Sequence, residues 1–302
     1  MDQPPAITVV IPVRNGRRTL EKALQALRLQ TWPAERLDVL VVDNGSTDGS
    51  GDLARSLGAR VVECPEPGVA RARDLGWRSA QTPLVAFLDC DCEPPEGWLD
   101  RAAEALLAGE KTGAVGVRLV PGEGRTLAEE HIIRSGFLDT DFFAQKHAIS
   151  HPFLVTAGIV LRREALEAVD GFDLSFGRAT GEDADLCWRL EDAGWACHYL
   201  PEIEVVHHHR ATLRAMLNQV YWYGWGTAEV FARHRRRFGF GWFYDPTPYR
   251  RLVRGVVRAP LAWLRSDRSR YERLAPGLEA LDASAFLLGK ARGAVRNRIV
   301  FF

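Results

Sequence analysis

The sequence has too few cysteines for a fold built on disulfides. Its five cysteines are odd in number and scattered along 302 residues, unlike the paired frameworks of small secreted proteins. Cys90 and Cys92 are one residue apart, and no second pair follows at the spacing of a structural zinc site. A hydrophobic core must therefore hold the chain together, and we expect the cysteines to be reduced.

Long apolar segments are also missing. No run approaches the roughly 18 apolar residues that a membrane-spanning helix requires. Residues Met1–Ala6 have neither the basic region nor the apolar core of a signal peptide. We therefore expect a cytoplasmic protein, which would reach the inner face of the cell membrane only as a peripheral protein.

Charges of the two signs are balanced in number but not in position. Residues 210–302 contain 18 Lys or Arg against 6 Asp or Glu, whereas residues 1–209 contain 21 against 33. A hydrophobic fraction of 46% is that of an ordinary folded protein, so the split concerns partners more than folding. We predict a domain over residues 1–209 and a basic, aromatic-rich helical extension over residues 210–302.

Apolar strands alternate with helical segments through the first ninety or so residues. The predicted strands are Ile7–Val13, Leu37–Val42, Arg60–Glu63 and Leu84–Leu88. Continuous apolar strands separated by helices are typical of a parallel sheet that is buried on both faces. The sequence therefore predicts an α/β domain whose ligand lies beyond the carboxyl ends of the strands.

Three of these strand ends carry polar clusters, at Pro12–Asn15, Asp43–Asp48 and Asp89–Asp91. Each cluster alone could form a simple turn, but three at one sheet edge favour a binding pocket. Asp89 and Asp91 are one residue apart just past a buried strand, so both carboxylates can reach one small volume. Hard cations such as Mg²⁺ or Mn²⁺ prefer carboxylate oxygen and keep positions open for phosphate oxygens. We therefore predict a metal site at this edge.

Five blocks of sequence resemble, in order, those of family 2 glycosyltransferases, which are inverting enzymes of the GT-A fold. The blocks are Val9–Asn15, Gln30–Pro33, Val41–Asp48, Ala72–Gly76 and Phe87–Asp91, and the likeness continues at Gly171–Asp173 and Gly181–Leu186. It covers roughly residues 6–210. It implies a GT-A-like nucleotide-binding sheet flanked by helices, to which the helical C-terminal extension is added.

The resemblance also implies roles for individual residues. Those implied to bind the nucleotide are Pro12, Asn15, Asp43, Arg73 and Asp89, with Asp43 on the base and Asp89 near the ribose or the metal. Asp91 would be the main metal ligand. The implied reaction moves a sugar from a nucleoside-diphosphate donor, most frequently a UDP-sugar, to an unidentified acceptor with the help of Mn²⁺ or Mg²⁺.

The chain departs from the family pattern at three other positions of the matching blocks. Asn44 stands where a second acid is common, Arg14 where an aromatic residue is frequent, and Asp74 where asparagine is usual. Other roles are also open for the matching residues. Asp43 and Asp48 can cap turns with their short side chains, and Arg73 can be a charge on a helix surface.

Glu182 and Asp183 form the second acidic pair. An inverting transfer needs one base to take the proton of the acceptor hydroxyl, and Asp183 matches the base of the family, with Glu182 orienting the acceptor. A helix amino terminus lowers the basicity of a carboxylate, so burial or a nearby diphosphate must offset that effect. The alternative for this pair is helix capping, and we expect a structural role for Asp185.

His207 follows Glu204–Val206 and resembles the histidine that completes the metal site in many GT-A enzymes. An imidazole beside carboxylates is a sensible third ligand. In an extended segment at most one or two of three adjacent histidines can face one ion, so we expect His208 and His209 to lie outside the ligand set.

The extension has an apolar stripe at helical spacing, flanked by arginines. The stripe comprises Tyr249, Leu252, Val253, Val256, Val257, Leu261 and Leu264. A helix lying on an anionic membrane fits this pattern, and a lipid-linked acceptor would then be natural. The other interpretation is a helix packed on the domain. No nucleic-acid reader module is present, so we expect no nucleic-acid partner. Pro260 is expected to split the helix into two segments.

Other functions fit the sequence less well. Nucleotidyl transfer also uses paired acids, but it more usually needs a Gly- and Lys-rich phosphate loop, for which Arg14–Arg17 is a poor substitute. No Gly-x-Gly-x-x-Gly follows the first strand, which disfavours a dinucleotide-dependent dehydrogenase. A catalytically silent nucleotide- or sugar-binding protein that anchors an assembly at the membrane is the alternative from another class. The intact Asp89, Asp91 and Asp183 favour an enzyme.

Overall fold

The computed structural model describes residues 3–136, 140–145, 151–177, 180–239, 242–243, 245–265 and 267–301. The chain forms two compact units. The catalytic unit comprises Met1–Gly122, Asp139–Arg178 and Glu182–His208, and the helical unit comprises Glu123–Leu138, Ala179–Gly181 and His209–Phe302. The last segment of the helical unit thus begins one residue before the boundary drawn from the sequence, and the unit also takes residues 123–138 and 179–181.

The secondary structure follows the alternation that the sequence predicted. The strands are β1 (Ile7–Val13), β2 (Leu37–Asp43), β3 (Arg60–Glu63), β4 (Leu84–Leu88), β5 (Cys92–Glu93), β6 (Thr112–Pro121), β7 (Gly158–Arg162), β8 (Ala196–His207), β9 (Trp242–Phe243) and β10 (Val300–Phe301). The helices are α1 (Arg17–Arg28), α2 (Ser50–Ser56), α3 (Val69–Ser79), α4 (Trp98–Ala108), α5 (Leu127–Ser135), α6 (Thr140–Phe143), α7 (Arg163–Ala168), α8 (Glu182–Asp192), α9 (Leu213–Arg233), α10 (Thr247–Trp263) and α11 (Arg270–Asn297).

Eight strands form one sheet in the order β3-β2-β1-β4-β7-β6-β8-β5. The four strands predicted from the sequence are parallel to one another. The sheet is nevertheless mixed, because β7 runs antiparallel to β4 and β6, and β5 runs antiparallel to β8. The α/β prediction is confirmed as a mixed sheet flanked by helices.

The core of the catalytic unit explains why the strands read as continuous apolar runs. Every residue of β1 and β4 is buried, because helices cover the sheet on both faces. Helix α1 contributes Leu20, Ala23, Leu24 and Leu27 to this core. Its apolar stripe therefore faces the sheet, as helical periodicity predicts.

In the helical unit α11 packs against α9 and α10. The packing depends on glycine at the closest points of approach. A Cβ atom added to Gly224 of α9 would clash with the Phe286 carbonyl oxygen, and one added to Gly289 of α11 would clash with that of Tyr221. The two helix backbones therefore touch directly, without side chains between them.

A buried polar cluster joins three helices of this unit. Asp282 of α11 lies 2.9 Å from His131 of α5, and it accepts a 2.8 Å hydrogen bond from Arg251 of α10. Tyr271 contacts the other ring nitrogen of His131 at 3.3 Å. A buried charge needs a partner of opposite sign. Because Arg251 supplies that partner for Asp282, the pair fixes which side of α10 faces α11.

Helix α10 corrects one expectation for the extension. It runs through Pro260 to Trp263 as one element, because the proline stands in the last turn and little helix remains beyond it. Of the aromatic-rich segment 221–244, residues 240, 241 and 244 lie outside the described residues. Within the described chain, none of the helices combines the length and the hydropathy that crossing a membrane requires.

Candidate active site

The polar strand ends lie at one edge of the sheet in the catalytic unit. β1, β2 and β4 are parallel. β7 is antiparallel to both β4 and β6, so β6 runs in the same direction as β4. β8 is parallel to β6 and therefore runs in that direction as well. Asn15, Asp43, Asp89 and His207 therefore end or follow strands at the same edge.

Asp91 and His207 are neighbours because β5 pairs with the end of β8. Cys92 stands opposite His207 in this ladder, and the His208 N–H donates to the Asp91 carbonyl oxygen at 2.8 Å. The His207 Nε2 atom lies 3.5 Å from Asp91 Oδ1. Both residues are buried. The pairing of β5 with β8 thus holds residues that are distant in sequence side by side.

The side chains of Asp91, Cys92 and His207 form a cluster that suits a cation. The ligand atoms of Asp91, Cys92 and His207 all lie within 4.8 Å of one another. Burial raises the pKa of the Cys92 thiol well above its usual value, so the sulfur stays protonated, and cations such as Mn²⁺ prefer oxygen to sulfur. The carboxylate of Asp91 and the imidazole of His207 are therefore the suitable ligands, and Cys92, which the sequence did not suggest, is a poor one.

Asp89 has a different partner. Its Oδ1 atom accepts a 2.7 Å hydrogen bond from Arg73, which also pairs with Glu182 of α8. Arg73 is only 4% exposed. Burial by itself lowers the pKa of the guanidinium, but the carboxylates of Asp89 and Glu182 hold it above its ordinary value. Arg73 therefore stays charged and joins the loop after β4 to the start of α8.

Two buried atoms of this network lack a hydrogen-bond partner among the described residues. They are Arg73 Nε and Glu182 Oε2. An unsatisfied buried polar group is uncommon in a folded protein and costs about 1–3 kcal/mol. A binding site can tolerate that cost, because a bound ligand can supply the missing hydrogen bonds.

The acids at the start of α8 have shifted pKa values. Burial, with a smaller contribution from neighbouring Asp183, raises the pKa of Glu182 to about 7 against the opposing effect of Arg73. Burial also raises the pKa of Asp183. Asp183 Oδ1 accepts a 3.0 Å hydrogen bond from the Ala184 N–H. Burial thus offsets the acidifying effect of the helix terminus.

The residues implied to bind the nucleotide shape the loops that follow β1 and β2. Asn15 has a positive φ of 55°, and its Oδ1 atom accepts a 2.8 Å hydrogen bond from the Thr47 N–H. Asp43 Oδ1 accepts a 2.8 Å hydrogen bond from the Ser46 N–H. Pro12 is buried within β1. Asn15 therefore holds the loop after β1 against the loop after β2, and Asp43 closes a turn within the second loop.

Asn44 has a structural reason to be an amide. Its Nδ2 donates to the carbonyl oxygens of Cys64 and Glu66 at 3.0 and 2.7 Å, and its Oδ1 accepts from the Gly68 N–H at 2.8 Å. An aspartate could not donate to the two carbonyls. Asn44 therefore fixes the segment between β3 and α3, which explains the departure from the acid that is common in the family.

Asp74 is explained by three donors. Its Oδ1 accepts from Trp77 Nε1 at 2.8 Å and from the Phe172 N–H at 3.3 Å, and its Oδ2 accepts from Arg78 Nε at 2.8 Å. An asparagine would turn an N–H₂ group toward the Arg78 guanidinium. The carboxylate thus anchors α3 to the Gly171–Asp173 block.

Two further acids of the polar blocks cap or brace helices. Asp48 accepts hydrogen bonds of 3.0 Å from the backbone N–H groups of Arg17 and Ser50, at the starts of α1 and α2. Asp185 accepts a 2.8 Å hydrogen bond from Arg189 within α8. These contacts agree with the capping and structural roles that their short side chains favour.

His208 belongs to a separate charged group. Its Nε2 atom hydrogen-bonds Glu93, whose carboxylate lies 3.3 Å from Lys22 Nζ. Burial favours a higher pKa for Glu93, but His208 and Lys22 lower it below its ordinary value. The side chain of His208 therefore pairs with Glu93 and not with the side chain of Asp91.

Comparison with known proteins identifies the family. The model of the family described as "Glycosyl transferase family 2" matches residues 8–170, which is more than half of the 302 residues. The chain belongs to glycosyl transferase family 2. The matched span contains both the Arg73–Asp89 pair and Asp91, although it ends before α8.

A pre-mycofactocin glycosyltransferase of Mycobacterium tuberculosis is 35% identical over 243 residues, which cover 76% of this chain and 48% of that protein. The chain therefore spans about half the length of that relative. The solved mannosyltransferase PcManGT from Pyrobaculum calidifontis, in complex with GDP-Man and Mn²⁺, has 20% identity and a TM-score of 0.59, covering 98% of this chain and 75% of that one.

A second solved structure, residues 1–349 of TarS from S. aureus in complex with UDP, is 17% identical with a TM-score of 0.52. The match covers 97% of this chain and 92% of that one. At these identities the likeness is one of fold alone. It confirms the GT-A-like sheet with C-terminal helices that the sequence resemblance implied.

Proposed function

We propose that this glycosyltransferase moves a sugar, with inversion, from a nucleoside-diphosphate donor to an acceptor hydroxyl, with Asp183 as the general base. The observation that carries the proposal is the double ion pair of Arg73 with Asp89 and Glu182. It joins the acids that follow β4 to the acids that begin α8. Groups suited to a diphosphate and a group suited to an acceptor therefore lie in one partly buried cluster.

Asp183 is the proposed base because burial raises its pKa, and a carboxylate with a raised pKa accepts a proton more readily. During transfer the acceptor oxygen forms a bond to the anomeric carbon while its proton passes to Asp183. The bond from the anomeric carbon to the diphosphate oxygen breaks on the opposite side, and the electron pair leaves with the diphosphate. Glu182 is proposed to orient the acceptor through Oε2, the oxygen that Arg73 does not bond.

A divalent cation, Mn²⁺ or Mg²⁺, would stabilise the negative charge that develops on the departing diphosphate. Asp91 and His207 are the proposed ligands, since they provide a buried oxygen and nitrogen at one point. Asp89 is proposed to assist from its place beside Arg73, near the ribose or the metal.

We propose UDP as the nucleotide of the donor, with GDP and dTDP as alternatives. Pro12, Asn15, Asp43, Arg73 and Asp89 would form the nucleotide site. The fold neighbours support either base, since TarS was solved with UDP and PcManGT with GDP-Man. We further propose a lipid-linked acceptor, because the helical unit exposes apolar and basic side chains together.

Two variants test this assignment by separating binding from turnover. Asp91→Ala should abolish the Mn²⁺-dependent thermal stabilisation by UDP, GDP or dTDP, because it removes the carboxylate ligand. A ligand at 100 times its Kd stabilises by about 2.7 kcal/mol, which a thermal shift detects readily. Asp183→Asn should keep that stabilisation but lower sugar transfer or donor hydrolysis by about 10² or more, because the amide cannot accept the proton.

Matched controls are Asp52→Ala and Asp192→Asn, both of exposed residues. Unchanged metal-dependent binding in Asp91→Ala would remove Asp91 from the metal site, and wild-type turnover in Asp183→Asn would place the base elsewhere. Binding of the nucleotide by a wild-type chain that never consumes the donor would favour the silent anchoring protein.

A further inference from the structure

The apolar stripe of the extension faces solvent. Six large apolar residues of α10 and of the position that follows it are between 58% and 81% exposed: Val253, Val256, Val257, Leu261, Trp263 and Leu264. We call this side of α10 the outer face. Exposed single apolar residues are common on proteins, but a contiguous row along one helix marks an interaction surface.

The opposite side of α10 is the one that packs. Gly255 and Ala262 are buried there, and a Cβ atom on Gly255 would lie 2.6 Å from the Pro276 carbonyl oxygen of α11. Arg251 also turns to this side, where it bonds Asp282. The helix is thus anchored through its small residues and one ion pair. Helix α10 therefore packs on α11 through the side of its small residues and leaves the outer face exposed to solvent.

The outer face is also basic. The sequence of α10 contains four arginines and no acid. Arg250, Arg254 and Arg258 line an open groove of about 630 Å³ together with Tyr249, Val253 and Val257. Arg254 lies 3.2 Å from Glu279 of α11, and Arg265 and Arg268 are exposed just beyond the helix. Apolar and cationic side chains therefore alternate along one exposed strip.

We propose that the outer face of α10 docks on a membrane that contains anionic phospholipid. The valines and leucines would enter the boundary between headgroups and acyl chains, with the arginines at the phosphates and Trp263 at the interface. Each basic residue near such a surface strengthens binding by about fivefold.

Charge complementarity favours this occupant over a second copy of the chain. A two-fold interface would set the same patch against itself, so Arg250, Arg254 and Arg258 would approach their own copies. Like charges brought together in this way oppose association. An anionic lipid surface satisfies the apolar and the cationic side chains at the same time.

Flotation of the full chain with vesicles tests the proposal. Vesicles of phosphatidylcholine with about a third phosphatidylglycerol should recover at least tenfold more protein than vesicles of phosphatidylcholine alone. Raising the salt concentration should weaken binding to the anionic vesicles, because salt screens the arginines. Equal recovery from both vesicle types would overturn the proposal.

Two double variants test the face itself. Val257→Ser with Leu261→Ser, and Arg250→Gln with Arg258→Gln, should each lower recovery on anionic vesicles by about tenfold or more. The controls change side chains of the catalytic unit that are also exposed, Leu29→Ser with Leu107→Ser and Arg18→Gln with Arg101→Gln. They should bind as the wild type does.

All four variants should keep the wild-type melting temperature, since the changed side chains are exposed. Wild-type recovery of the two α10 variants would overturn the proposal. Light scattering of the protein without lipid tests whether a second copy of the chain binds the outer face instead. A dimer that dissociates on Val257→Ser with Leu261→Ser would show that a second copy, and not a membrane, covers the outer face.

Discussion

Helices α1 and α10 carry similar sequence patterns, but the apolar stripe is buried in α1 and exposed in α10. Both are amphipathic, with leucines or valines at helical spacing beside arginines. The stripe of α1 is between 0% and 4% exposed, whereas that of α10 includes residues that are 58% to 81% exposed. Periodicity therefore shows that a helix has an apolar side, but the packing partner decides whether that side is buried.

Arginines show the same contrast between the two units. Arg73 is buried with two acids, and its charge is committed to the site. Arg254 of α10 is about half exposed and meets Glu279 at 3.2 Å. A desolvated charge depends on its partners, while an exposed one is screened by water. The catalytic unit thus uses charge inside, and the helical unit uses it at the surface.

The largest expected effect separates these two arginines. Arg73→Met should lower the free energy of unfolding by about 3–5 kcal/mol, because it leaves Glu182 and Asp89 without their cation. Arg254→Met should lower it by about 1 kcal/mol or less. Urea unfolding of both variants measures the difference. Similar losses for the two would mean that Arg73 is not the partner on which the buried acids depend.

A matched pair of leucine truncations sharpens the comparison of the stripes. Leu24→Ala in α1 should cost about 2–5 kcal/mol, since it opens a cavity in the core. Leu261→Ala in α10 should change stability by no more than about 0.5 kcal/mol, because that side chain is 62% exposed. The same urea assay applies. A loss above 2 kcal/mol for Leu261→Ala would show that the stripe is covered within the chain.

Two buried groups, one in each unit, are expected to give opposite slopes of stability with pH. Burial raises the pKa of Glu182 from 4.5 to about 7, so the folded state binds the extra proton and stability falls as pH rises between these values. Burial lowers the pKa of Lys290 in α11 from 10.5 to about 8. The unfolded state then binds the extra proton, and stability rises with pH from about 8 to 10.5.

Each slope has its own control. Glu182→Gln should flatten the acidic window and leave the alkaline one, and Lys290→Met should do the reverse. Thermal or urea unfolding across the two ranges measures both. A wild-type stability that rises with pH between 5 and 7, unchanged by Glu182→Gln, would contradict the burial of a protonated Glu182.

Much of the catalytic unit could be predicted because its signals are local. The bounds of β1, β3 and β4 follow directly from runs of apolar residues closed by polar loops, and the acidic blocks fall at the strand ends as expected. Asp74 and Asn44 could not be explained in this way. Their partners come from other segments, and only the folded chain shows that one needs a carboxylate and the other an amide.

The sequence by itself determined the α/β architecture, the polar edge of the sheet and the existence of a basic, amphipathic extension. Only the tertiary structure decided that β7 and β5 run antiparallel, that Arg73 binds both Asp89 and Glu182, and that the stripe of α10 faces outward. The physical reason is the same in each case. Local sequence fixes periodicity and turns, whereas the pairing of strands, of charges and of helix faces depends on which distant segment approaches closely enough to exclude water.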